Sequence, residues 1–341
     1  MIRYPYLGSG VETWRDRLSA YEPAFLKNLF RRMLRIRLVE EEIERRYQQD
    51  QMKTPIHLVI GQEATAVGCC AAMNVTDLAY SSHRTHGVYL AKGGDLRAML
   101  AEMHCRANGC AGSRGGSMHL IDFGVGMAGS SAIVAGSVPI AAGAALAARM
   151  QGSDRVVMVF FGEAATEQGV VSETLNFAAL KQLPIVFVCE NNFYSVQSPL
   201  AARQPARDLN RWAESHALRA LRVDGMNVLE TYEAASAAVA DARGGRGPTF
   251  IEARLYRFRA HGGAGDDSNS GYRHVEEREQ WERHCPVEGW YRVLEEAKLI
   301  DRPARQAMRE SIMDETLSAF QYALESAEPV EADLATHVYA R

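Results

Sequence analysis

No stretch of this chain stays apolar for the roughly eighteen residues that a bilayer-spanning helix needs, so nothing in it reads as a membrane segment. The opening residues, Met1-Ile2-Arg3-Tyr4-Pro5-Tyr6, contain no hydrophobic signal core. A basic surplus is missing too. With 38 Lys and Arg against 42 Asp and Glu, the formal net charge is −4, which argues against a nucleic-acid binder. Cysteines are few and scattered: Cys69, Cys70, Cys105, Cys110, Cys189 and Cys285 include no C-x-x-C pair. Reduced thiols in a cytoplasmic protein are the simplest reading. Internal repeats and composition-marked linkers are also absent. What remains is an ordinary globular balance, 47% apolar and 23% charged over 341 residues, enough to bury a large core. One α/β domain over 1–341 is expected, with a helical extension over about 1–50 and a helical tail over about 275–341.

Two apolar runs, 156–161 and 185–189, are rich in β-branched and aromatic residues and read as strands buried on both faces of a parallel sheet. The segment 170–182 between them reads as a helix. In 23–49, Phe25, Leu26, Leu29, Met33 and Leu34 recur at helical spacing. Helices and short loops alternate from there to Gly109. Glycine and serine then crowd the chain through Gly136, with little charge, which suggests a packed loop region. Further on, 140–150 reads as an alanine-rich helix, 219–225 as a strand and turn, 228–242 as a helix and 249–258 as a strand. The polar, glycine-rich 262–271 is too small-chained to pack. From Val275 the chain reads as helical and charged, with Trp281 and Trp290 as core anchors.

The chemistry gathers where the first two strands end. Gly162-Glu163-Ala164 follows one of them and Glu190-Asn191-Asn192 the other. A strand, helix, strand unit puts both carboxyl ends on the same sheet edge, where open parallel sheets bind ligands. A carboxylate and a carboxamide presented together there suit a hard cation, which takes oxygen donors and travels with diphosphates. A formal G-x-G-x-x-G at Gly124, Gly126 and Gly129 lacks both a preceding strand and the following acidic residue that dinucleotide binding requires.

At these residues the chain resembles the thiamine-diphosphate enzymes, whose motif is Gly-Asp-Gly, a spacer, then Asn-Asn. Within them it is similar to the α subunit of the decarboxylating component of 2-oxo acid dehydrogenase complexes, with acetoin dehydrogenase α chains as near relatives. Gly61-Gln62-Glu63-Ala64, His83-Arg84-Thr85-His86-Gly87, Gly115-Gly116-Ser117-Met118-His119, Ile133-Val134-Ala135-Gly136-Ser137-Val138-Pro139 and Tyr256-Arg257-Phe258 carry the rest of the likeness, which runs from about residue 25 to near the C-terminus.

The resemblance implies a thiamine-diphosphate-binding α/β fold, a central mostly parallel sheet with helices on both faces. It implies Mg²⁺ held by Glu163, Asn192 and the backbone carbonyl of Tyr194, with diphosphate at the backbone after Gly162, through Ala164 and Ala165. Glu163 stands where Asp is commoner. Ala164 stands where the second glycine is usual and adds a methyl beside the cofactor's path. His83 and Arg84 are implied at the cofactor, His86 near the reacting centre, and His57 and His261 as proton-exchanging imidazoles, His261 also touching the cofactor. Ala135 and Ser137 are implied as backbone contacts to the aminopyrimidine ring. The loop 262–271 matches one that orders over the cofactor.

The glutamate that activates the pyrimidine comes, in two-gene members, from a separate β subunit, so an assembly of two α and two β chains is expected. A lipoyl acyltransferase would receive the acyl group after decarboxylation of a small 2-oxo acid. Acetoin cleavage, carboligation onto an aldehyde, and a noncatalytic scaffold subunit stay open as alternatives.

Overall fold

In the computed structural model, which describes residues 17–205, 208–267 and 270–339, the apolar runs form the middle of a six-stranded parallel sheet. Its strands are β1 (Leu78–Ser81), β2 (Met127–Ser130), β3 (Val157–Gly162), β4 (Ile185–Asn191), β7 (Arg219–Asp224) and β8 (Thr249–Arg254), in the order β2-β1-β3-β4-β8-β7. The intervening β5 (Tyr194–Ser195) and β6 (Ser198–Pro199) form a two-residue antiparallel ladder apart from the sheet.

The pleat sorts the central side chains onto two faces. Val157, Val159 and Phe161 of β3 join Ile185, Phe187 and Cys189 of β4 on one side. There they meet the small residues of α5 (Ser137–Met150) and α6 (Gly169–Leu180), chiefly Val138, Ala141, Ala145, Val171 and Leu175. Met158, Phe160, Val186 and Val188 face the other way, onto a larger core. That core draws on α1 (Pro23–Tyr47), α2 (Glu63–Ala71), α3 (His86–Lys92), α4 (Leu96–Met103) and α9 (Val228–Arg243), and on the C-terminal α11 (Pro286–Glu296) and α12 (Arg302–Glu325). Both faces are covered, which is why these strands read as unbroken apolar runs.

α2 and α9 approach closely because Gly68 has no side chain: a Cβ there would lie 2.0 Å from Thr231 Oγ1. Trp290 donates through Nε1 to Leu26 O at 3.2 Å, tying α11 to α1. Trp281, on α10 (Val275–Glu282), stacks on Tyr256 with ring centroids 5.4 Å apart. Both tryptophans are buried, as expected. None of the helices among the described residues is long and apolar enough to cross a membrane.

The structure differs from the sequence reading at several points. β1 and β2 fall in segments read as helix with short loops and as packed loop. Four residues are too few to display a period of two, and their strand character comes from pairing with each other and with β3. The last strand stops at Arg254 rather than running to Phe258. The loop expected to remain unpacked is latched. Asp267 takes hydrogen bonds from Arg273 Nε at 2.8 Å and Arg257 Nη1 at 3.1 Å, while Ser268 and Asn269 lie outside the described residues, as does 1–16 of the N-terminal extension.

The glycine-rich stretch after Gly109 is packed, for a reason that composition conceals. Glu102, wholly buried at the end of α4, accepts the backbone N–H groups of Ala111, Ser113, Gly115 and Gly116 at 2.8–3.0 Å. A Cβ on Gly109 would stand 2.3 Å from that carboxylate. The chain can wrap the charge only if it is small there.

Candidate cofactor and active site

Parallel pairing of β3 with β4 sets Gly162 beside Glu190, so both motifs open onto a single cleft of about 210 Å³. Glu163 begins the tight helical turn Glu163–Glu167 and is 1% exposed. Burial pushes its carboxyl up, and the guanidinium of Arg203 pulls it back. Arg203 closes the short α7 (Leu200–Arg203) and bonds both Glu163 and Glu167, while Gln204 Nε2 adds a 2.8 Å bond to Glu167. Across the cleft, Asn192 Oδ1 accepts the N–H of Tyr194 at 3.1 Å. Ala135 and Val196, both on the cleft wall, have positive φ (63° and 52°), and so does Phe193 beside Asn192 (68°). Backbone held in that region costs on the order of 1–3 kcal/mol per residue and gathers at functional sites.

The other end of the cleft is basic. Arg84 is buried and donates to the backbone carbonyls of Leu58 and His261, the latter at 2.9 Å. Gly263 N–H to Ile56 O, 2.8 Å, adds a second tie between the same two segments. This clamp is what brings His57 and His261, two hundred residues apart, to face each other. Ring centroids of His57, His83 and His261 lie 4.6, 5.1 and 5.3 Å apart. Burial, reinforced by Arg84, lowers the three imidazoles to about 3, 2 and 4, so all are neutral at pH 7. Burial likewise lowers Arg84 itself, to about 9.

Gly162, Glu163, Ala164, Ala165, Asn192, Tyr194, Ala135, His57, His83, Arg84 and His261 therefore share one cleft. His86 and Ser137 do not line it. His86 is wholly buried, with Nδ1 2.6 Å from Glu40 and Nε2 2.7 Å from Ser117, so both ring nitrogens are occupied behind the cleft wall. Ser137 Oγ donates to Ser81 O at 2.6 Å, inside the sheet. The side chains of these two residues are engaged in contacts within the protein.

The dehydrogenase E1 component family matches residues 31–331. Among curated relatives, the α subunit of acetoin:2,6-dichlorophenolindophenol oxidoreductase from Bacillus subtilis (strain 168) is 35% identical over 95% of this chain and 96% of its own length. The somatic and testis-specific α subunits of the human mitochondrial pyruvate dehydrogenase E1 component are 34% and 33% identical over 91% of this chain, and 78% and 79% of their own. This chain belongs to the dehydrogenase E1 component family.

It is an α-subunit-type member of the 2-oxo acid dehydrogenases, which are thiamine-diphosphate-dependent oxidoreductases whose α chains work with a β subunit. The cleft fits such a cofactor. The charge that Glu163 meets is a cation, nothing lies within 4 Å of where a Cβ on Gly162 would sit, and the Ala164 methyl lines the space without filling it.

Two charged side chains at or beside the cleft were given no role in the reading of the sequence. Glu190 is buried in the cleft, raised by burial to about 7 with Arg84 opposing, and Gln62 Nε2 approaches it at 3.4 Å. The period of two along β4, with Val186 and Val188 on the same face, was signal enough to place it. Arg203 had no such signal, since it reaches Glu163 only because the chain reverses through the β5–β6 ladder. Arg203→Ala is expected to destabilise the free chain by about 3 kcal/mol, because a buried carboxylate loses its partner. Thermal unfolding with and without Mg²⁺ and thiamine diphosphate checks this; the deficit should shrink when both are added.

Proposed function

We propose that this chain is the α subunit of a Mg²⁺- and thiamine-diphosphate-dependent dehydrogenase that decarboxylates a small 2-oxo acid, pyruvate-like in size, and delivers the acyl group to lipoamide on an acyltransferase partner. One observation carries the reading: adjacent strands deliver Glu163 and Asn192 to the same cleft as Arg84 and three neutral histidines. Glu163 and Asn192, with the Tyr194 carbonyl, would hold Mg²⁺, and the backbone of Ala164 and Ala165 would receive the diphosphate. Thiamine diphosphate supplies, when bound, the electron sink needed to break the bond next to a carbonyl.

The chain's own residues do the rest. Arg84 gives the cleft a fixed positive charge for anionic groups. His57 and His261, neutral and facing inward, can donate an N–H hydrogen bond to the substrate's carbonyl oxygen and exchange a proton with the hydroxyl that forms from it. Ala135 and Val134 supply an apolar wall that limits water.

A partner is supported by the cleft's mouth, where Ile133 and Val134 are 71% and 56% exposed and Ile140 of α5 is 59% exposed. Apolar side chains left in water beside an active cleft fit coverage by another subunit, here the β chain of an assembly with two of each. Six free thiols fit a reducing, cytoplasmic setting, and one α/β domain over 1–341 fits the continuous sheet. Acetoin cleavage is the second reading, favoured by the 35% identity to an acetoin oxidoreductase α subunit.

The test is calorimetry of thiamine diphosphate binding to the chain co-purified with its β partner. Saturable binding that vanishes when Mg²⁺ is chelated is expected, followed by turnover of pyruvate-like acids or acetoin in a substrate panel. A folded complex that binds no cofactor would instead point to a noncatalytic subunit.

A further inference from the structure

Beyond the oxygen donors, the cleft contains a cluster of different chemistry. One ring nitrogen from each of His57, His83 and His261 can be chosen so that all three lie within 4.8 Å of one another. The rings come from three separate segments whose backbones are already fixed, by the Arg84 clamp and by the bridge pairing His57 with Gly263. His57 Nδ1 is buried without a hydrogen-bond partner. A buried imidazole nitrogen with nothing to bond is a donor in search of an acceptor, or a ligand in search of a metal.

We propose that His57, His83 and His261 form a second metal site, selective for borderline transition ions such as Zn²⁺, Co²⁺ or Cu²⁺, and that filling it closes the cleft to other ligands. Three imidazoles around an open fourth position are a common zinc arrangement, with Zn–N bonds of about 2.0–2.1 Å. Around such an ion the nitrogens stand roughly 3.3 Å apart, so pairs now up to 4.8 Å apart must close by up to about 1.5 Å, through χ rotations of the three rings. Imidazole suits Zn²⁺, Cu²⁺ and Co²⁺, whereas the carboxylate and carboxamide at the other end suit Mg²⁺, so the two ends sort ions by ligand type. Because burial and Arg84 keep the rings neutral, the ion displaces no proton.

Charge opposes the ion in part. Arg84 faces all three rings and Arg257 faces His83 and His261, while Asp267 faces His261 with the opposite sign. An anionic fourth ligand, such as hydroxide or chloride, therefore belongs to the site. The site itself stands apart from the dehydrogenase reading. Its consequence, inhibition, rests on that reading.

The experiment is a Co²⁺ titration of the full chain, stripped of Mg²⁺ and cofactor, followed by visible absorption. One equivalent should produce the intense d–d bands of four-coordinate cobalt, without thiolate charge-transfer bands, and one equivalent of Zn²⁺ should erase them. His83→Tyr and His261→Ala, each checked for folding by circular dichroism, should weaken Co²⁺ binding by at least roughly tenfold. Faint six-coordinate spectra, thiolate bands, or bands that persist in both variants would overturn the site. Thiamine diphosphate calorimetry with Mg²⁺, on the complex with the β chain, with and without Zn²⁺, separates the two readings. Cobalt bands on the chain but no cofactor binding by the Zn²⁺-free complex would leave the metal site standing and sink the dehydrogenase; cofactor binding undisturbed by a filled Zn²⁺ site would sink the closure.

Discussion

Asn192→Ala should remove turnover altogether while leaving the chain folded. The side chain sits where β4 ends, is 9% exposed, and among the described residues makes one hydrogen bond, 3.1 Å from Tyr194 N–H. Losing that bond costs about 1 kcal/mol of stability, a small fraction of what holds a domain of this size. Losing the oxygen proposed for the metal is a different matter. Residues that merely orient metal ligands are worth about 10–100-fold in affinity, so a direct donor should cost at least about 100-fold in Mg²⁺-dependent thiamine diphosphate binding. Calorimetry and steady-state turnover of the complex with its β chain measure both. Unchanged turnover would refute the assignment of Asn192 to the metal.

The largest stability effect is expected far from the chemistry, at Glu102→Ala. Four backbone N–H groups converge on this buried carboxylate, and the substitution strands all of them in a space that water must then enter. Charge-assisted hydrogen bonds contribute about 1.5–3 kcal/mol each in isolation. Partial rehydration and collapse reduce the sum, so a loss of about 4 kcal/mol is the expected result in denaturant titrations. Glu102→Gln retains an acceptor oxygen and should recover part of it. A loss under about 1 kcal/mol would mean that the 111–116 segment finds its conformation without the carboxylate.

Why the core of the fold was legible follows from β3 and β4. They are buried on both faces, so every position along them is under the same apolar pressure and the sequence shows it. β1 and β2 were not legible, because a four-residue strand owes its conformation to its neighbours rather than to its own pattern. The site divides the same way. Glu163, Asn192 and Arg84 stand in ordered motifs, His57 and His261 were singled out by the resemblance alone, and the structure gathers all five into one cleft. His86 and Ser137 stand in the same motifs but point into the protein interior, a distinction set by which way a helix turn faces after the chain enters it. Arg203 lies outside every motif. Its role depends on a chain reversal that no local spacing encodes.

The contact of Arg203 with Glu163 also changes what loading this protein means. A buried carboxylate already neutralised by its own chain does not wait for a counter-ion; it has to give one up. On the proposed assignment of Glu163 to Mg²⁺, assembly of the active form is an exchange, in which the ion's affinity measured in solution is the difference between two ionic contacts.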